Sequence, residues 1–230
     1  MRVRVFSDAA HLAEAAAEEI AAWVRLDAPL ATMGLAGGTT PRGAYERLRE
    51  SHLPWRRVHA WMTDERAVPP THIASNTGMV RRALFDHVPA TFHPVPWVED
   101  SAAAAAAYEA ELAQFLPLGP RGLQPGLVVL GLGEDGHTAS LFTGTAALEE
   151  TRLGFVANWV PQLEAWRLTA TLPLLTAARR TVFLATGKHK AAVVAEVLTG
   201  AGDLPAARVS RESRDAVWLL DRDAASRLDA

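Results

Sequence analysis

The chain has 230 residues, no cysteine, 23 basic and 26 acidic side chains, and a formal net charge of -3 at pH 7. That length allows one domain over 1–230 with a sizeable core. The missing cysteines exclude disulfides, thiolate metal sites and a cysteine nucleophile, and the near-balanced charge offers no footprint for nucleic acid or an anionic membrane. No apolar run approaches the roughly 18 residues of a bilayer span, and the first residues lack the apolar core of a signal peptide, so a cytoplasmic location is expected.

In chain order, residues 3–6 read as a short strand, and an Ala- and Glu-rich helix capped by Ser7 or Asp8 follows to residue 26. A second apolar strand, 30–35, runs into Gly37-Gly38-Thr39-Thr40-Pro41, where Thr40 suits the N-cap and Pro41 the first helical position. Orphan amides and the helix dipole would make this turn an anion cradle, although a plain strand-to-helix connection has the same letters. The third strand, 58–62, leads into Thr63-Asp64-Glu65-Arg66. Asp64 and Arg66 lie past its carboxyl end, a placement that also fits a surface ion pair. A helix over 75–86, an extended piece near Val95 and an alanine-dense helix over 101–115 come next; helix propensity alone explains the alanines.

Residues 127–130, Leu-Val-Val-Leu, form an uninterrupted apolar run that predicts a strand buried on both faces of a parallel sheet. Gly131, Gly133 and Gly136 follow at once and place Glu134, Asp135 and His137 beyond its carboxyl end, where open α/β sheets bind their ligands. Two antiparallel-looking pieces, 154–160 and 167–172, precede a helix starting at Pro173. A strand over 181–186, the turn Gly187-Lys188-His189-Lys190, a helix over 191–198, a last strand over 217–220 with Asp221 at its end, and a short helix complete the chain. The alternation implies an α/β fold: a mostly parallel sheet with helices on both faces and a small antiparallel part.

Three familiar chemistries fit poorly. Gly131-x-Gly133-x-x-Gly136 matches a dinucleotide fingerprint, yet it lies mid-chain, lacks the acid expected about 20 residues on, and carries two carboxylates where a pyrophosphate would rest. Ser140 lacks the flanking glycines of a serine-hydrolase elbow. The histidines show no metal-ligand spacing, and His59, His72, His87 and His93 read as ordinary surface or core residues. His137 differs, because an imidazole beside a carboxylate can take a proton from water near neutral pH. As an isolated pattern, Asp-Gly-His fits a structural histidine better than a base.

Cations recur past strand ends: Arg66, Arg167 and Lys190, with Lys188 nearby. Lys188 and Lys190 are the chain's only lysines. Beside a helix amino end they oppose the dipole at about 0.3–1 kcal/mol each, a sign that an anionic ligand would reverse. A phosphorylated small molecule is therefore the expected substrate class.

The set Gly-Leu-Ala-Gly-Gly-Thr-Thr-Pro (34–41), Asp-Glu-Arg (64–66) with Ser75-Asn76, Gly-Leu-Gly-Glu-Asp-Gly-His-Thr-Ala-Ser-Leu-Phe (131–142), Arg167 with Thr169, and Gly187-x-x-Lys190 resembles the 6-phosphogluconolactonase family over nearly the whole chain. The resemblance implies a modified Rossmann-like fold and hydrolysis of 6-phosphoglucono-1,5-lactone, a sugar-phosphate lactone, without metal or organic cofactor. It implies His137 as the base with Asp135 orienting it, Arg66 and Lys190 on the phosphate with help from Arg167, and Gly37, Gly38, Thr39 and Asp64 along the sugar. Neither a nucleic-acid nor a membrane partner is expected, and the oligomeric state, monomer or small homo-oligomer, is left open. The glucosamine-6-phosphate deaminases are the competing relatives. Their Asp-Gly-His block continues Ile-Ala-Phe-Asn-Glu, whereas this one reads Thr-Ala-Ser-Leu-Phe; a non-catalytic sugar-phosphate-binding module is the other alternative. Thr143 stands where the family often has proline, and Gly126 where it commonly has an acid.

Overall fold

The computed structural model describes residues 1–27, 29–200 and 202–228. The chain runs through β1 (Arg2–Phe6), α1 (Ala9–Leu26), β2 (Ala31–Leu35), α2 (Thr39–Leu48), β3 (Val58–Met62), β4 (Asp64–Arg66), α3 (Asn76–Val80), β5 (Thr91–His93) and α4 (Ser101–Phe115). It continues through β6 (Leu118–Gly119), β7 (Gly122–Leu123), β8 (Leu127–Gly131), β9 (Phe155–Val160), β10 (Ala165–Ala170), α5 (Leu172–Thr176), β11 (Arg180–Ala185), α6 (Ala191–Thr199), α7 (Pro205–Glu212) and β12 (Ala216–Asp221).

Seven strands form one sheet in the order β1-β12-β11-β8-β2-β3-β5, and every pairing in it is parallel. The apolar run of β8 sits in the middle with Leu127, Val128, Val129 and Leu130 fully buried, which requires cover on both faces. β4, β10 and β9 make a small antiparallel sheet, and β6 with β7 a short hairpin. Large aromatic side chains fill the core. Phe183 stacks on Trp218 at 4.1 Å, and Tyr108 of α4 meets Phe155 of β9 edge-on at 4.7 Å. No described helix is long and apolar enough to cross a membrane.

Several boundaries differ from expectation for physical reasons. Gly38, not Thr40, caps α2: its φ of 103° belongs to glycine, and its carbonyl accepts the Arg42 amide at 3.3 Å. Thr40 is already helical and shares a hydrogen bond with the Thr186 hydroxyl at 2.8 Å. The extended piece expected near Val95 lies at Thr91–His93 instead, because β5 must reach back to pair with His59, Ala60 and Trp61. The helix predicted over 75–86 starts on schedule at its Ser75 cap but turns π-helical over Arg81–Phe85. The pieces expected over 154–160 and 167–172 are Phe155–Val160 and Ala165–Ala170, and they pair with each other and with Asp64–Arg66. At Gly126 a Cβ would lie 2.7 Å from the Asp27 carboxylate, which pairs with Arg179. The acid at this spot thus arrives from the end of α1.

Candidate active site

Strand order sets the place. From β2 the chain proceeds outward to β3 and β5, whereas from β8 it proceeds the other way to β11 and β12. The crevice between the carboxyl ends of β2 and β8 is therefore the sheet's switch point, where open α/β folds bind ligands. Two adjoining clefts open there. One, of about 240 Å³, is lined by Gly37, Asp64, Arg66, Asn76, His137 and Lys190 among others. The second, of about 260 Å³, is lined by Gly37, Gly38, Thr39, Thr40, His189 and Lys190, together with parts of β11. Gly37 and Lys190 border both.

The loop after β8 is built around the imidazole. Asp135 Oδ1 lies 2.5 Å from His137 Nδ1 and accepts the His137 amide at 3.2 Å. Phe142 stacks on the ring at 4.1 Å. Gly133 donates to the His137 carbonyl at 2.8 Å, and a Cβ on Gly133 would overlap His137 Nδ1. Thr138 donates its hydroxyl to the Gly131 carbonyl at 2.8 Å, and Gly136 accepts the Ala206 amide at 3.0 Å, so α7 braces the loop from behind. Partial burial pushes the Asp135 carboxyl up, but attraction and hydrogen bonds from His137 outweigh it and leave it below the ordinary range.

The cationic side comes from β4, β10 and the loop after β11. Arg66 donates from Nη1 to the Ala74 carbonyl at 2.5 Å and faces the first cleft. Lys190 follows a loop that Asp221 holds: both carboxylate oxygens accept the Gly187 amide at 3.0 Å. Burial lowers the Lys190 pKa, and the carboxylates of Glu134 and Asp135 offset this in part. Arg167 lines neither cleft. It stands directly across from Arg66 on β10, and burial followed by repulsion from Arg66 lowers its pKa against the pull of Asp64 and Glu65.

Of the predicted residues, then, His137, Asp64, Arg66, Gly37 and Lys190 meet in one cleft, Gly38 and Thr39 line its neighbour, Asp135 touches His137, and Arg167 stands across from Arg66 on the next strand. Sequence reasoning missed three groups. Asn76 donates from Nδ2 to the Asp64 carbonyl at 3.0 Å, and its carboxamide fills the space that a Cβ on Gly37 would take. Glu65 is buried and accepts the amides of Arg66, Asn76 and Thr77 at 2.7 Å and the Ser75 hydroxyl at 3.0 Å. Ser140 joins the loop to β4 and β10. The signal for the first two was the polar Ser75-Asn76-Thr77 at a helix start, opposite the buried acid of Asp-Glu-Arg.

Comparison with known proteins places this arrangement. The family model described as glucosamine-6-phosphate isomerases/6-phosphogluconolactonase matches residues 7–218. A 6-phosphogluconolactonase of Synechocystis sp. is 40% identical over 206 residues, covering 86% of this chain and 84% of its own. One from Aggregatibacter actinomycetemcomitans is 32% identical over 238 residues, covering 99% and 100%. The solved structure of 6-phosphogluconolactonase from Trypanosoma brucei superposes with a TM-score of 0.89 at 30% identity, covering 99% of this chain and 98% of that one.

Proposed function

The chain belongs to the glucosamine-6-phosphate isomerase/6-phosphogluconolactonase family, and from that premise we propose that it hydrolyses 6-phospho-D-glucono-1,5-lactone to 6-phospho-D-gluconate in the cytoplasm, as a step of the oxidative pentose phosphate pathway. The observation that carries this reading is the Asp135–His137 pair at the wall of a cleft whose other walls hold Arg66 and Lys190. An ionised carboxylate can only accept, so Nδ1 carries the hydrogen and Nε2 keeps its lone pair.

Water bound at Nε2 gives up a proton as its oxygen attacks the lactone carbonyl carbon. When the tetrahedral intermediate collapses, the bond to the ring oxygen breaks, and the proton held on Nε2 passes to that oxygen, which leaves as a hydroxyl. Asp135 stabilises the imidazolium between the two transfers. Arg66 and Lys190 grip the phosphate through charge-assisted hydrogen bonds. Arg167, across from Arg66 on β10, adds positive potential. Gly37, Gly38, Thr39 and Asp64 line the sugar.

The test is the initial rate of lactone loss, with lactone generated in place at mildly acidic pH and spontaneous hydrolysis subtracted. A large excess over background is expected. No excess from a folded preparation, or ammonia release from glucosamine 6-phosphate in its stead, would overturn the assignment.

Lys190→Ala is expected to weaken 6-phosphogluconate binding by roughly 1.5–3 kcal/mol, about 10- to 150-fold, with kcat little changed. Because burial lowers the Lys190 pKa, the ligand-free enzyme sheds this proton at a lower pH than an ordinary lysine. Affinity should be full below that pH and decline above it, and Lys190→Arg should remove the decline. An unchanged KM in Lys190→Ala would take this residue out of the phosphate site.

A further inference from the structure

Ser140 is buried three residues beyond His137, and the hydrolysis described above makes no use of it. All three of its polar groups are nevertheless engaged across the seam between the two sheets. Its amide donates to Thr169 Oγ1 on β10 at 3.0 Å, its carbonyl accepts from Asn158 Nδ2 on β9 at 3.0 Å, and its hydroxyl donates to Asp64 Oδ2 on β4 at 2.8 Å. Thr169 directs its own hydroxyl hydrogen to the Ala170 carbonyl at 3.0 Å, which leaves its oxygen free to accept. Asn158 also reaches the Thr145 hydroxyl at 3.0 Å. Each of these donors and acceptors is thereby given a direction.

Asp64 lines the cleft, and no donor among the described residues reaches its second oxygen, Oδ1, which is not among the sealed-off polar atoms. Its main chain is held as well, by Asn76 Nδ2 on the carbonyl. A carboxylate free to rotate presents its lone pairs in many directions and must be ordered when a ligand binds. One pinned at Oδ2 presents Oδ1 in a single direction before the ligand arrives. The ligand of this cleft, on the lactonase reading, is a polyol whose hydroxyls need acceptors.

We propose that Ser140 is a positioning residue for substrate recognition: by holding one oxygen of Asp64 it presents the other as a fixed acceptor for a sugar hydroxyl. The inference rests on the lactonase reading and deepens it. Because the Ser140 main chain also ties the His137 loop to β9 and β10, acceptor and base keep one spacing, and a sugar seated on Asp64 meets His137 at a set distance.

The test is a double-mutant cycle with Asp64, reading KM for the lactone and Kd for 6-phosphogluconate. Ser140→Ala removes the hydroxyl and leaves both main-chain links intact. It should raise KM and Kd about three- to tenfold, the cost of ordering on binding a carboxylate that is no longer held beforehand, with kcat changed less than about twofold. In an Asp64→Ala background the same change should move either constant by less than about twofold, since no carboxylate remains to be oriented. Ser140→Cys keeps the bulk with a weak donor and should fall between serine and alanine, which guards against a poorly folding alanine variant. The proposal is overturned if Ser140→Ala leaves KM and Kd unchanged, or raises them by the same factor in both backgrounds. If the wild-type protein binds 6-phosphogluconate but turns over no lactone, the functional reading fails while the Kd cycle still decides the role of Ser140. If it does not bind 6-phosphogluconate, both fail.

Discussion

His137→Ala is expected to lower kcat by about 10²- to 10⁴-fold while 6-phosphogluconate binds almost as well as before. The split follows from the geometry. The imidazole contributes a proton acceptor whose tautomer Asp135 sets through Nδ1, but the phosphate is left to Arg66 and Lys190, which come from β4 and from the turn after β11. Removing the ring leaves the cations and the sugar wall in place. Its structural cost is small, since the ring lies at the cleft and its principal aromatic contact is Phe142. Asp135→Asn should lower kcat in the same direction by less, because the amide can present its nitrogen to Nδ1 and favour the tautomer with the proton on Nε2, the wrong atom for a base. Binding by calorimetry with turnover on freshly made lactone separates the two effects, and full activity in His137→Ala would remove the residue from its role as base.

Legibility in the sequence followed the range of the interaction. The central strand announced itself because a parallel strand covered on both faces needs a continuous apolar run, and Leu127 to Leu130 supply one. The pairing of Asp135 with His137 was a short-range possibility that two intervening peptide bonds could realise, and they do. What escaped is what the fold brings from far away. Asn76 reaches Gly37 from the start of α3, and Ser140 meets Asp64 across 76 positions. The Asp64–Arg66 segment looked like a loop because three polar residues carry no strand signal, yet it pairs in register with Arg167, Leu168 and Thr169. The cap of α2 was misplaced for a different reason. Side-chain preference pointed to Thr40, and the backbone freedom of Gly38 prevailed.

Glu65→Gln is expected to destabilise the protein by about 3 kcal/mol, a fall in Tm of about 6–12 °C for a chain of this size. The carboxylate is buried and takes four donors, two on each oxygen: the Arg66 and Asn76 amides on Oε1, and the Ser75 hydroxyl and Thr77 amide on Oε2. No guanidinium or ammonium shares it in these bonds; main-chain amides and the amino end of α3 balance its charge. Glutamine keeps the shape but turns one acceptor into a donor, so whichever way the amide faces, two native donors meet a hydrogen instead of a lone pair. With the nitrogen at the Oε2 place the Ser75 hydroxyl can rotate away but the Thr77 amide cannot, and at the Oε1 place both opposed donors are fixed main-chain amides. The loss reaches the cleft as well, because Asn76 is the first residue of α3 and holds the Asp64 carbonyl. A loosened α3 should therefore raise KM several-fold at temperatures where the variant is still folded, with kcat less affected because the His137 loop is anchored elsewhere, on β9 and β10. Thermal unfolding with KM measured well below Tm checks both parts. A Tm within about 2 °C of the parent would mean that the four bonds to Glu65 contribute far less than their burial requires.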